Sequence, residues 1–233
     1  MEKDIYGVFG TGGFAREVMP LVQASLSTLS PGSYEVMFVT DYKIEEGLER
    51  INEVKVMSFD NFCMIKSKKK ITIALADSLI RREIAKKIAQ AGIDFFIIRA
   101  SNSIELAHVE VGQGTILCPF VTLTTNIKIG VFFHANIYSY VGHDCIIGDF
   151  VTFAPSVKCN GNVIIEDDVY VGTGAIIKEG RKGRPTIIGK GAKISAGSFV
   201  TKSVPSGLTV MGSPAFPLTR ESVRRGRNGQ NKI

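Results

Sequence analysis

Hydrophobic positions repeat every six residues over residues 111–177 of this 233-residue chain. The six-step positions carry no charged or strongly polar side chain: Val111, Leu117, Leu123, Ile129, Ala135, Val141, Ile147, Phe153, Cys159, Ile165, Val171 and Ile177. The positions two residues before them, from Thr115 to Ala175, are nearly all small or β-branched. Neither a helix nor an ordinary strand repeats in this way, so the pattern predicts the hexapeptide repeat of a parallel β-helix.

Three six-residue units would close a triangular coil of 18 residues, in which residue n lies beneath residue n+18 at the ~4.8 Å spacing of neighbouring strands. The repeat is broken at residues 180–186 and resumes at Ile188. The interruption must bulge outward as a loop that carries Arg181, Lys182 and Arg184. Such a basic loop suits a phosphate group, although a solvated excursion explains it equally well.

The N-terminal residues follow a different pattern, in which predicted strands alternate with predicted helices. Strands are expected over residues 4–9, 33–43, 70–77 and 94–100, and helices over residues 10–22 and 78–92. Alternation of this kind predicts a small Rossmann-like α/β domain with a parallel sheet. The expected fold class is therefore mixed α/β plus all-β, with domains at 1–100 (nucleotide sugar) and 101–218 (β-helix) and a flexible basic tail at 219–233.

Glycines between the first strand and the first helix suit a phosphate, because the backbone can approach the anion and the helix N-terminus offers free N–H groups. The candidates are Gly10, Thr11, Gly12 and Gly13. A tight turn would need the same glycines. Asp41 and Asp77 end the second and third predicted strands, where an acid can meet a ribose or base. A strand-end turn is an equally good explanation of Asp41.

The composition narrows the classes of partner. Four cysteines match neither a metal-site spacing nor a disulfide framework, and Cys145 and Cys159 fall at core positions of the repeat. The net charge of +6 suits polyanionic small ligands such as nucleotides, and no nucleic-acid-binding motif is present. Neither a secretory signal nor an apolar run of membrane-spanning length occurs, so no membrane partner and a cytoplasmic location are expected.

His143 is the strongest candidate for chemistry. It occupies the third position of the hexad VGHDCI, at a corner of the predicted coil, and residue 161, one coil later, is glycine. A base beside an approachable backbone N–H is what acyl transfer requires, because one accepts a proton and the other stabilises an oxyanion. Asp144 could orient the imidazole if the corner bends. A solvated corner histidine is the alternative.

The segments GTGGFAREV at 10–18, NIYSYVGHDCIIGDFVTFAPSVKCNGNV at 136–163 and VTKSVPSGLTVMGSPA at 200–215 resemble bacterial sugar acyltransferases of the sialic acid O-acetyltransferase family. The resemblance is strongest to members that N-acetylate nucleotide-linked 4-amino-4,6-dideoxy sugars of the viosamine and perosamine type. It implies a left-handed β-helix and a homotrimer whose neighbouring β-helices form the acetyl-CoA groove. It also implies a nucleotide-sugar pyrophosphate on the glycine loop and no metal.

The resemblance also implies residue roles. His143 is the catalytic base with Asp144 beside it, and Gly161 N–H faces the thioester carbonyl. Asn136 lies near the sugar and Asp41 near the nucleotide base. Candidates for binding acetyl-CoA are Gly161, Gly174, Ala196, Gly197, Gly212, Ser213, Pro214 and Ala215.

Two positions depart from the family pattern, because many members have histidine where this chain has Phe14 and Thr152. Two alternative functions also remain open. One is O-acetylation of a sialic acid or related glycan in the same groove. The other is a zinc site of the carbonic-anhydrase type, for which three histidines must converge. The three histidines here are 26 and 9 residues apart, which does not fit an 18-residue coil.

Overall fold

A computed structural model describes residues 3–27, 30, 32–42, 44, 49–217 and 219; the predicted tail, apart from residue 219, lies outside these residues. We call residues 3–95 the N-terminal lobe. Its elements, in chain order, are β1 (Asp4–Phe9), α1 (Gly13–Leu26), β2 (Tyr34–Thr40), β3 (Arg50–Ile51), β4 (Val54–Ser58), α2 (Phe59–Met64), β5 (Lys69–Ile73), α3 (Ser78–Gln90) and β6 (Asp94–Phe95).

The lobe contains one sheet with the strand order β3-β4-β2-β1-β5-β6. Its strands pair in parallel except for β3 and β4, which form a short antiparallel pair. The strand expected over 94–100 is wrong as one element. Asp94–Phe95 ends the lobe sheet, whereas Ile98–Arg99 already pairs with a strand of the repeat. The Rossmann-like class and the domain division stay predictions.

Residues 98–217 form the repeat, which we call the coil. Its strands are β7 (Ile98–Arg99), β8 (Ile104–Glu105), β9 (Val109–Val111), β10 (Ile116–Leu117), β11 (Thr122–Leu123), β12 (Ile127–Ile129), β13 (His134–Ala135), β14 (Tyr140–Val141), β15 (Ile146–Ile147), β16 (Thr152–Phe153), β17 (Lys158–Cys159), β18 (Val163–Ile165), β19 (Tyr170–Val171), β20 (Ile176–Ile177), β21 (Thr186–Ile188), β22 (Lys193–Ile194), β23 (Phe199–Val200), β24 (Thr209–Met211) and β25 (Phe216–Pro217).

These strands form three sheets, as a three-sided parallel β-helix requires. Face 1 runs from β7 through every third strand to β22, and continues into β24 and β25. Face 2 contains β8, β11, β14, β17, β20 and β23, and face 3 contains β9, β12, β15, β18 and β21. The chain passes from face 1 to 2 to 3, so we name the edges corner 1–2, corner 2–3 and corner 3–1.

The register confirms the 18-residue coil. Val141 lies beside Cys159 and Ile147 beside Ile165 in their parallel pairs. The six-step side chains from Leu117 to Ile177 are buried inside the coil, including Cys159. Side chains that point inward on three faces therefore share one apolar core, which explains why the pattern has a period of six.

The corners have a conformation that the hydrophobic pattern does not reveal. Every sixth residue from His108 to Gly174 has a left-handed backbone, with φ between 55° and 69°. Six of these twelve residues are Asn, Asp or Gly, which tolerate this region well: Gly114, Asn126, Asp144, Asn162, Asp168 and Gly174. The parallel pairing on both sides of each corner must hold the other six in place. The bend brings neighbouring side chains at a corner toward each other.

The lobe packs on face 1 and corner 3–1 through a buried arginine. Arg81 of α3 is fully buried and donates to the carbonyls of Leu75 and Phe150, both at 2.6 Å, and to Thr152 Oγ1 at 3.0 Å. Burial lowers the pKa of Arg81 to about 9, so the side chain is still a cation at neutral pH. Arg81 therefore ties the end of β5 to the coil.

We predict that Arg81→Met destabilises the protein by about 3 kcal/mol or prevents folding, because it leaves buried carbonyls without a donor. The neighbouring Arg82 makes a partly exposed ion pair with Asp168 at 2.9 Å, so Arg82→Met should cost about 1 kcal/mol or less. Urea unfolding of both variants measures the difference. Equal losses would contradict the proposed anchor.

Candidate active site

His143 lies at corner 2–3, between β14 and β15, with more than half of its side chain exposed. Its Nδ1 is 2.7 Å from Oδ2 of Asp144. Asp144 has a φ of 57°, so the corner bends as the orienting role requires. Because an ionised carboxylate only accepts hydrogen bonds, Nδ1 carries the hydrogen, and in the neutral imidazole Nε2 keeps the lone pair.

Asp144 has a second donor that sequence reasoning missed. Asn126, one coil earlier, donates from Nδ2 to Asp144 Oδ1 at 3.2 Å. The hydrogen bond from His143, and then that from Asn126, lower the pKa of Asp144 below its ordinary value. The carboxylate therefore stays ionised and holds the ring. The 18-residue coil could have identified Asn126 as a neighbour of Asp144, because it lies 18 residues earlier in the chain.

Gly161 lies directly beside the imidazole, as the 18-residue coil predicts. A Cβ atom built on Gly161 would lie 2.5 Å from Nε2 of His143. Its carbonyl accepts from Gly180 N at 3.0 Å, but its N–H makes no hydrogen bond with any residue that the structure describes. A lone pair and a free N–H are thus neighbours at one corner. Their catalytic roles stay predictions.

Three of the eight candidates for binding acetyl-CoA lie on another edge. Gly174, Ala196 and Gly197 follow strands of face 1 at corner 1–2, in the same stack as Asn136. Asn136 donates to the Phe153 carbonyl at 2.8 Å, so its side chain amide is already bonded to the next coil. The structure does not bring this set to His143 within one chain.

Four further acetyl-CoA candidates follow β24 at the end of the coil: Gly212, Ser213, Pro214 and Ala215. Gly212 and Ala215 exchange backbone hydrogen bonds with Phe199 of β23 at 3.0 and 2.8 Å. Pro214 and Ala215 line a cavity of about 290 Å³ with residues 200–205. This turn is therefore held against face 2, above corner 1–2.

The glycine loop has the features that an anion needs. Gly10 has a φ of +120°, and Thr11 and Gly12 lead into α1, which begins at Gly13. No side chain caps α1, its first turn has no acidic residue, and a Cβ on Gly12 or Gly13 would meet open space. The free N–H groups of the first turn are therefore open to a ligand.

The two acids predicted near the nucleotide already have partners. Asp41 makes an ion pair with Lys87 at 2.6 Å. Asp77 caps α3 by accepting from the backbone N–H groups of Leu79 and Ile80, both at 3.0 Å. Asp77 also lines a cavity of about 430 Å³ between the lobe and face 1 of the coil, together with Lys193.

Both departures from the family pattern lie at the lobe–coil junction. The Phe14 ring is 5.3 Å from the ring of His134, which is fully buried. Burial, followed by the charge of Arg81, holds the pKa of His134 well below its usual range. Thr152 donates to the Ala76 carbonyl at 3.1 Å. Both positions therefore contribute to packing in this chain.

Within the described part of the chain, no three His, Cys, Asp or Glu side chains form a group that could hold a metal ion. Nor is any helix there long and apolar enough to cross a membrane. Two of the histidines considered for a zinc site also lie apart, because His134 is buried on face 1 and His143 is exposed at corner 2–3.

No protein-family model matches the chain. It is 44% identical over 220 residues to a GDP-perosamine N-acetyltransferase of Escherichia coli O157:H7, covering 93% of this chain and 97% of that protein. The chain belongs to the nucleotide-aminosugar N-acetyltransferases of the hexapeptide-repeat family.

Solved structures support this family assignment. WeeI from Acinetobacter baumannii AYE is 48% identical, with a TM-score of 0.86, and the match covers 93% of this chain and all of WeeI. The acetyltransferase domain of PglB from Neisseria gonorrhoeae FA1090, solved with acetyl coenzyme A, is 26% identical with a TM-score of 0.80, over 93% of this chain and all of that domain. The resemblance noted in the sequence is thus confirmed.

We predict that Gly161→Ala abolishes most acetyl transfer while leaving the unfolding temperature within a few degrees of wild type. The new methyl would collide with the imidazole, which is exposed and can rotate away at little cost in stability. Circular dichroism and an acetyl-CoA consumption assay check the two halves. Full activity in this variant would show that the space beside Nε2 is not used.

Proposed function

We propose that the chain transfers the acetyl group of acetyl-CoA to the amine of a nucleotide-linked 4-amino-4,6-dideoxy sugar, with His143 as general base. The observation that carries this proposal is the free Nε2 of His143 beside the free N–H of Gly161. The family provides the reaction class. GDP-perosamine is the first substrate to test, because the Escherichia coli relative bears its name.

In the proposed reaction, the sugar amine attacks the thioester carbonyl, a C–N bond forms and the C–S bond breaks. Nε2 of His143 accepts the proton that the amine loses, while Asp144 stabilises the resulting imidazolium through Nδ1. Gly161 N–H donates to the oxyanion of the tetrahedral intermediate. CoA leaves as a thiolate, which can take up the proton from the imidazolium. No covalent enzyme intermediate is needed, because holding amine and thioester together supplies much of the acceleration.

The same geometry supports a homotrimer. The base lies at corner 2–3, three acetyl-CoA candidates lie at corner 1–2, and the glycine loop belongs to a lobe packed on face 1. The edges of one rigid coil cannot come together, whereas a closed three-fold assembly can place edges and lobes of different copies side by side. We therefore propose that each active site is shared between copies. The left hand of the coil and a cytoplasmic location stay predictions.

We predict that His143→Ala lowers kcat about 100-fold or more with little change in fold, because the proton then lacks an acceptor. His108→Ala is the matched control, since His108 is an exposed histidine outside the pair. Steady-state rates should be measured with GDP-, UDP- and TDP-linked aminosugars, and with the corresponding hydroxyl sugars.

Equal rates for His143→Ala and wild type would remove the proposed base. Acetylation of the hydroxyl sugars in preference to the aminosugars would instead favour the O-acetyltransferase alternative. Absence of acetyl transfer to every acceptor would contradict the proposed function as a whole.

A further inference from the structure

The loop at residues 180–186 is inserted immediately above the candidate base. In the pair of β18 and β21, Ile164 lies beside Ile187, so this coil is five residues longer than its neighbours. Gly180 N donates to the Gly161 carbonyl at 3.0 Å, and Thr186 N donates to the Asn162 carbonyl at 3.2 Å. The insertion therefore confirms the predicted bulge and begins one coil after Gly161 on corner 2–3.

The loop is a defined hairpin. Arg181 and Arg184 exchange two backbone hydrogen bonds, of 2.9 and 2.8 Å, and Gly183 has a φ of +75° that reverses the chain. The side chains of directly opposed residues in an antiparallel pair point to the same side. The side chains of Arg181 and Arg184 therefore lie on the same side of the hairpin. Neither forms an ion pair with an acidic residue in the described ranges.

An open cavity of about 350 Å³ lies at the foot of the hairpin. Three cationic side chains line it, those of Lys178, Arg181 and Arg184, against one carboxylate, that of Glu179. Thr186 and Thr201 also line the cavity. Guanidinium forks bind phosphate oxygens in pairs, so this lining suits a group with two or more phosphate charges.

The hairpin tip lies close enough to Asp144 for its charge to act on that carboxylate. The charge of Lys182 adds to the effects that lower the pKa of Asp144, after the hydrogen bonds from His143 and Asn126. A phosphate group bound in this loop would therefore lie close to the reacting groups rather than on a remote surface.

We infer that the 180–186 loop is a phosphate-binding element, in which Arg181 and Arg184, together with Lys178, bind a diphosphate group of a substrate whose reactive end lies at His143. This inference rests on the proposed function. Nucleotide sugars and CoA both carry a diphosphate, so either substrate supplies the required chemistry. The loop then contributes to substrate affinity and not to the proton transfer itself.

The test is the double variant Arg181→Gln/Arg184→Gln, which removes two charges but keeps a polar, uncharged group on each side chain. The matched control is Lys55→Gln/Lys128→Gln, which removes two exposed charges, one in the lobe and one on face 3. KM and kcat for acetyl-CoA and for the aminosugar nucleotide are measured at one ionic strength. Titration calorimetry with CoA alone and with GDP alone gives binding without turnover.

The loop variant should raise KM for one substrate about 10-fold, with kcat within about threefold of wild type, while the control stays near wild type. The probe that weakens in calorimetry, CoA or GDP, identifies the source of the diphosphate. Unchanged KM and affinity for both substrates, or loss of kcat alone, would overturn the inference. If wild type binds CoA or GDP but transfers no acetyl group, the proposed function fails while calorimetry still decides the role of the loop.

Discussion

Stacking of one coil on the next, residue n on residue n+18, is the constraint on which the rest of the molecule depends. Backbone N–H and C=O groups of each coil are paired with those of its neighbours, as between Val141 and Cys159, and buried backbone groups must be paired. A one-residue insertion in a strand would turn inward-facing side chains outward. The five extra residues at 180–186 are accommodated because they leave and rejoin the coil at a corner, where pairing resumes in phase.

The same constraint determines the chemistry available at corner 2–3. Asn126, Asp144 and Asn162 occupy equivalent positions on successive coils, and His143 and Gly161 occupy the positions before the latter two. Asp144 can therefore be held by a side chain from the coil below while it holds the imidazole beside it. The free N–H of Gly161 comes from the coil above. A site of fixed geometry thus arises from side chains and a backbone N–H of three consecutive coils rather than from a flexible loop.

Much of the coil could be predicted from sequence, because inward-facing positions are apolar and their spacing is visible. The pairing of His143 with Gly161 followed from that spacing alone. The left-handed corner residues could not be predicted in the same way, since Phe120, Phe132 and Tyr138 are not typical of that conformation. The short elements β3, β4 and α2 were also missed, because two- to six-residue elements have too little periodicity to detect. The roles of Arg81 and Thr152 depend on contacts between residues about 70 positions apart.

The candidate site residues are divided among two edges of the coil and the lobe on face 1, and this division is the central claim about how the protein works. It predicts that a chain with a disabled base and a chain with a disabled glycine loop complement each other. The decisive measurement is acetyl transfer by a refolded equimolar mixture of His143→Ala and Gly12→Asp chains, each inactive alone. A site shared between copies should restore about a quarter of wild-type activity, because random assembly pairs an intact loop with an intact base in that fraction of sites. A mixture as inactive as its components would show that the base and the glycine loop of one site belong to the same chain, which contradicts the division.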